Sequence, residues 1–394
     1  MNSLGWIDFS QKDRDLARDI IASLNVPGAI DELGIGVIRD RFADLFFPGT
    51  STLQTLAKYF FLVAYQVEKL TATALGSTVK ALFAMEQECS RRMWEALSDE
   101  QRRSGNSGVF GSSFFARSDR DWVKRPPSEV YWNGVRKLHF LVCSGEDISL
   151  ADFLRRASAE RGTNFGSEAD EADSIRGKSW HWDLPPVDQR GDWERRPTID
   201  LTPGEARWLV KKIRQEHAGT MFAFLIEQRD RLAQIENFPD IGSLALPEPL
   251  RQLWQSAKQF SDFMEAAQIR FNCLLHNESA DKQWAVCEPQ LKTLAEKVDL
   301  DSLFVLLDLH SDAHKDLRAF LKNLHRRYLE GNIAELDRLI RHRERSKKGS
   351  RAKIGKDDEY YRDHWVGGLG LQYRFPNARR IVSDILKAEG KIYG

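Results

Sequence analysis

Nine basic side chains crowd between positions 338 and 356: Arg338, Arg341, Arg343, Arg345, Lys347, Lys348, Arg351, Lys353 and Lys356, against one acid, Glu344. Such a run neutralises phosphate and releases counterions, which suits salt-sensitive contact with nucleic acid. Tyr360, Tyr361, Trp365 and Tyr373 lie just beyond and are able to stack on bases. The expected nucleic-acid-binding set is Arg341, Arg343, Arg345, Lys347, Lys348, Arg351, Lys353 and Lys356. The plainer alternative is a solvated helix end, its field blunted by Asp357, Asp358 and Glu359.

A second group sits near the N-terminus. Asp40 and Asp44 are four apart in a helical stretch, so their carboxylates share a face and could hold a divalent cation beside Arg39. Thr50, Ser51 and Thr52 follow Pro48 and Gly49; if they open the next helix, its free N–H groups offer an anion site. Arg39, Asp40, Asp44, Thr50, Ser51 and Gln54 thus form a possible functional cluster, suited to a nuclease or a nucleotide-binding enzyme. The alternative is an ion pair of Arg39 with either acid, and a Thr/Ser run that only caps a helix. Without a His, a Lys or a third acid at a recognisable spacing, no catalytic residue is assigned and no metal site is expected.

Weaker patterns complete the inventory. Arg270 and His276 loosely match the Arg-to-His spacing of helical ribonucleases of the HEPN type, where the pair would polarise a phosphate and move protons. Six helical residues place two side chains about 120° apart, so these two converge only across a kink or a dimer. Trp180, His181, Trp182 and Asp183, with Trp193, suit either a base-binding pocket or, preferably, an apolar anchor for an irregular insert. His310, His314 and His325 lack the spacing and partners of a zinc site.

The 394 residues carry 58 basic and 58 acidic side chains, a formal net charge of zero, so phosphate must be met by a local patch. Apolar residues make up 42% and charged residues 29%, a globular composition. Cys89, Cys143, Cys273 and Cys287 form no C-x-x-C pair, which points to reduced thiols in a cytoplasm. The opening residues lack the pattern of a signal peptide, and the apolar run Tyr59–Val67 is too short to span a bilayer, so no membrane association is expected. No cofactor is expected.

Helical periodicity dominates. Helices are expected from Ser10, from Ile35 to Pro48, from Thr50–Thr52 onward, and over 78–97. Short ones follow at Ser128 and Ser149. Thr202-Pro203-Gly204-Glu205 is a strong helix start, and helices continue near 205–215, 221–235, 249–275, 284–297, 314–329, 333–345 and 377–388. A strand is expected around 370–375, and a loop over 99–127. The fold class is all-α or nearly so: a multi-helical body with a polar, Trp-rich irregular insert over 162–197 and little β structure. The organisation expected is an N-terminal helical subdomain (1–100), a loop-rich region (101–200) and a C-terminal helical subdomain (201–394).

One block is distinctive as a whole. Trp6-Ile-Asp-Phe-Ser10 and the stretch from Asp31-Glu-Leu-Gly-Ile-Gly-Val-Ile-Arg-Asp40 through Phe47-Pro-Gly-Thr-Ser-Thr-Leu-Gln-Thr55 resemble a bacterial family described only as a domain of unknown function. The similarity extends through Pro126–Trp132, Leu184–Pro186, Leu371–Phe375 and Asp384–Leu386. The resemblance implies a genomic setting near phage-defence and DNA-processing genes, and carries no established catalytic residue. Similar sequences often have a basic residue where Leu56 stands, which weakens a phosphate-binding role for that face. The expected function is a non-catalytic component of a phage-defence or DNA-processing system, contacting nucleic acid through the C-terminal basic segment and protein subunits of a defence complex through helical faces. The rivals are a nucleic-acid-acting enzyme and a protein-interaction scaffold.

Overall fold

Helices carry most of the chain in the computed structural model, which describes residues 31–73, 78–103, 107–116, 122–143, 148–164, 180–356, 359–368 and 370–390. The helix expected from Ser10 and the Trp6–Ser10 motif lie outside the described residues. In chain order the longer elements are α1 (Gly36–Phe46), α2 (Lys58–Ala72), α3 (Val79–Glu95), α4 (Pro127–Lys137), β1 (Leu141–Cys143), α5 (Leu150–Asn164) and β2 (Trp180–Trp182). There follow α6 (Pro203–Glu216), α7 (Met221–Glu227), α8 (Glu248–Cys273), α9 (Glu278–Cys287), α10 (Leu291–Lys297), α11 (Leu300–Leu306), α12 (Lys315–Glu330), α13 (Ile333–Lys348) and α14 (Phe375–Ala388). The fold is nearly all-α, as the periodicity implies: among the described residues the one sheet pairs β1 antiparallel with β2, Val142 opposite His181.

The chain divides into two units, each discontinuous in sequence, where three consecutive segments were expected. One holds residues 1–42 and 238–373, the other 43–237 and 374–394. In the first, α8 packs against α9, α10 and α13, and α12 against α10 and α13. Leu317, Phe320, Leu321, Leu324 and Tyr328 form the buried stripe of α12, and Gly331, with φ of 63°, ends it in the left-handed conformation that glycine adopts without strain. Phe42, Phe238, Phe260 and Tyr373 form an aromatic cluster in the same unit.

The second unit is built around α2. Its sequence Tyr59-Phe-Phe-Leu-Val-Ala-Tyr-Gln-Val67 is buried on every side, which is how an apolar run of this length satisfies itself without a membrane. It packs against α3 and α4, while α6 packs against α7 and α14. Thr202 and Glu205 make the reciprocal capping box that the sequence announces. Gly134 of α4 lies against Pro48–Gly49: a Cβ there would stand 2.3 Å from Phe60 Cε1 and 2.5 Å from the Gly49 carbonyl oxygen. Because one obstacle is backbone, Gly134→Ala is expected to lower the free energy of unfolding by about 1–3 kcal/mol, read by urea denaturation. An unchanged midpoint would show that the contact yields freely.

Several boundaries differ from expectation. Residues 51–57 are turns and coil, and α2 begins only at Lys58. No strand forms at 370–375, because Tyr373 and Arg374 take left-handed φ values of 47° and 63°, which an extended chain excludes, and Pro376 then opens α14. The expected loop at 99–127 includes short helices at Asp99–Arg103 and Ser112–Ala116. Pro289 divides the expected 284–297 helix into α9 and α10 through a single 3-10 turn.

Candidate functional site

The basic segment begins on α13, whose inward face carries Leu336, Ile340, Arg343 and Glu344. Burying this face turns Arg338, Arg341 and Arg345, spaced i, i+3 and i+7, outward along one exposed stripe. Arg341, Arg345, Lys347 and Arg351 are exposed and make no ion pair among the described residues. Arg338 pairs with Glu335, one turn earlier on the same helix. Lys356 is exposed and donates to the Ser350 carbonyl at 2.8 Å.

Three of the expected phosphate ligands are used internally. Arg343 is 5% exposed; its Nε donates to the Leu33 carbonyl at 2.7 Å, its Nη2 to the Gly34 carbonyl at 3.0 Å, and its guanidinium lies over the Phe320 ring. Burial pulls this guanidinium below its ordinary pKa, opposed by Asp31 and Asp316. Lys348 and Lys353 converge on the carboxylate of Glu32, which is 1% exposed. In this conformation these three cations hold residues 32–34 against α13 and do not face solvent phosphate. Glu344, the acid within the run, accepts from the backbone N–H groups of Lys353 and Ile354 and shapes the turn after α13. Its oxygens are engaged by these amides, and it makes no ion pair with Arg341, Arg345, Lys347 or Arg351.

The N-terminal cluster is divided between the two units, and its residues have structural partners in each. Arg39 Nε lies 3.3 Å from Asp40 Oδ1 in the first unit. In the second, Asp44 accepts from Arg374 Nη1, which also donates to the Thr50 carbonyl at 2.9 Å. Thr50 and Gln54 are buried: the Thr50 hydroxyl donates to the Phe47 carbonyl, and the Gln54 amide donates to Gly49 and accepts from the Ser51 N–H. The Thr/Ser run therefore starts no helix and presents no helical N–H groups to an anion. Asn377 Nδ2 donates to the Gln54 carbonyl at 2.8 Å, and Asp384 accepts from Ala57 N–H at 2.8 Å, so α14 stitches the turn in place. Arg374, Asn377 and Asp384 were not foreseen, since more than 300 residues separate them from the turn; Arg374 and Asp384 do fall within the resemblance blocks.

The Arg270–His276 pair is also taken apart. Arg270 makes a bidentate pair with Asp337 at 2.6 and 2.7 Å and lies over the Trp284 ring, while His276 follows the end of α8 with φ of 60° and is exposed. Trp180 and Trp182 pack on Phe153, and Trp193 on Tyr65, which is the anchoring arrangement. Among the described residues no group of three or more His, Cys, Asp or Glu could hold a metal, and no helix is long and apolar enough to cross a membrane.

Residues 1–302 match the model of a family of unknown function, DUF6361. No curated protein and no solved structure matches the chain.

Proposed function

We propose, from the premise that the chain belongs to the family of unknown function DUF6361, that it is a nucleic-acid-contacting component of a bacterial phage-defence or DNA-processing system. The observation that carries this reading is the outward display of Arg341, Arg345, Lys347 and Arg351, exposed and without ion pairs among the described residues, on a chain of zero net charge. Arg341, Arg345 and Lys347 on α13, with Arg351 on the 3-10 turn after it, neutralise phosphates without reading bases, so the contact is sequence-tolerant and salt-sensitive. The role is one of binding, in the cytoplasm, beside protein subunits that carry any chemistry. For the partner half of the reading, the support is Val305 and Leu306 on α11, adjacent and 66% and 45% exposed.

Reversing the four charges (R341E, R345E, K347E and R351E together) is expected to lower affinity for a nucleic-acid duplex on the order of 100-fold at about 50 mM salt. Fluorescence anisotropy with a labelled duplex measures it. All four side chains are exposed, so the unfolding midpoint is expected to stay put. Unchanged affinity in a folded variant defeats the proposal.

A further inference from the structure

A second cationic surface occurs in the unit formed by residues 43–237 and 374–394. Helix α6 buries Ala206, Leu209 and Ile213, which turns Arg207, Lys211 and Arg214, spaced i, i+4 and i+7, toward solvent. Arg229, on the 3-10 turn after α7, supplies a further cation, and these side chains with Gln215 and Glu389 line a groove of about 380 Å³. Two of its cations have carboxylate partners: Arg214 pairs with Glu227 and Arg229 with Glu389, at 2.6 and 3.1 Å. The other two, Arg207 and Lys211, are exposed and make no ion pair among the described residues. Beside them the half-buried indole of Trp208 carries the Lys211 ammonium 4.7 Å from its ring centroid.

We infer that this groove binds the phosphates of single-stranded nucleic acid. Arg207 and Lys211, one helical turn apart, stand about 6 Å from each other along the axis, a spacing suited to neighbouring phosphates of a strand. The guanidiniums of Arg214 and Arg229 are held by Glu227 and Glu389 and frame the groove, while the unpaired Arg207 and Lys211 carry the phosphate contact. An aromatic ring at the edge of such a groove gives an unpaired base a stacking surface that an acidic peptide could not use. The inference shares the ligand's class with the α13 face and none of its residues.

The test uses the full chain and a labelled strand of about 20 nucleotides at low salt. R207E/K211E is expected to weaken binding at least about tenfold and to reduce the salt slope by about 1.4, at about 0.7 per single-strand phosphate contact. R207Q/K211Q, which introduces no repulsion, should shift both in the same direction by less, with the unfolding midpoint unchanged. Wild-type affinity in both variants overturns the inference, as does competition by polyglutamate equal to that of unlabelled strand. The α13 reversal, assayed in parallel, separates the two readings. Loss of strand binding confined to the groove variants supports the groove, and loss confined to the α13 variant overturns it; the duplex assay tests α13 independently.

Discussion

Lys58→Met is expected to destabilise the protein by about 3–5 kcal/mol, because it strands the carboxylate of Glu205 without its counterion. The Lys58 ammonium lies 2.8 and 2.7 Å from the two Glu205 oxygens, and the side chains are 2% and 0% exposed. Glu205 also accepts from the Tyr65 hydroxyl at 3.2 Å and from the Thr202 backbone N–H at 2.8 Å, closing the cap of α6. Burial raises the pKa of this carboxyl, with the Lys58 charge opposing the shift. Urea denaturation of K58M, E205Q and the double variant reads the coupling. K58M/E205Q has no buried charge left unpaired, so it should recover most of the loss. A K58M loss below about 1 kcal/mol would contradict a buried, mutually dependent pair.

The second large effect is pH-dependent and belongs to Glu86. This residue of α3 is buried, and its carboxyl accepts from the backbone N–H and hydroxyl of Ser128 at the start of α4. Burial pushes its pKa from 4.5 to about 8, with the Ser128 hydrogen bonds opposing. The folded state therefore keeps the proton where the unfolded chain has lost it. The stabilisation is complete below the unfolded value of 4.5 and is lost as pH rises to about 8, at up to about 1.4 kcal/mol per pH unit. Glu86→Gln imitates the protonated acid at every pH. Denaturant titrations are expected to show similar stabilities for wild type and E86Q near pH 4.5 and a margin for E86Q that grows to no more than about 5 kcal/mol at alkaline pH. Parallel stability curves across this range would contradict the assignment.

What was legible in the sequence follows the range of the forces involved. The capping box at Thr202 and the apolar run of α2 depend on neighbours within a turn or two, and each occurs where local pattern places it. The start of α2 differs because Thr50–Thr52 are good caps by type, yet the turn they belong to is closed by Phe47 and Gln54 locally and by Arg374 and Asn377 from the distant end of the chain. The basic segment was legible as a charge run, but its division was not. Arg343, Lys348 and Lys353 turn inward to groups supplied by residues 32–34, roughly 300 positions away. The α6 groove was hidden by the reverse problem. Its cations are interleaved with Leu209, Val210 and Ile213, so no run of charge stands out, although their i, i+4, i+7 spacing was there to be read.

The account rests on the outer face of α13 meeting phosphate, and the dependence of duplex affinity on salt tests it most directly. Binding constants measured between about 50 and 200 mM salt are predicted to give a steep slope for the wild-type chain, shallower by about three to four when Arg341, Arg345, Lys347 and Arg351 become glutamate. Equal slopes for the two proteins, or no binding by the wild-type chain at the lowest salt, would contradict it.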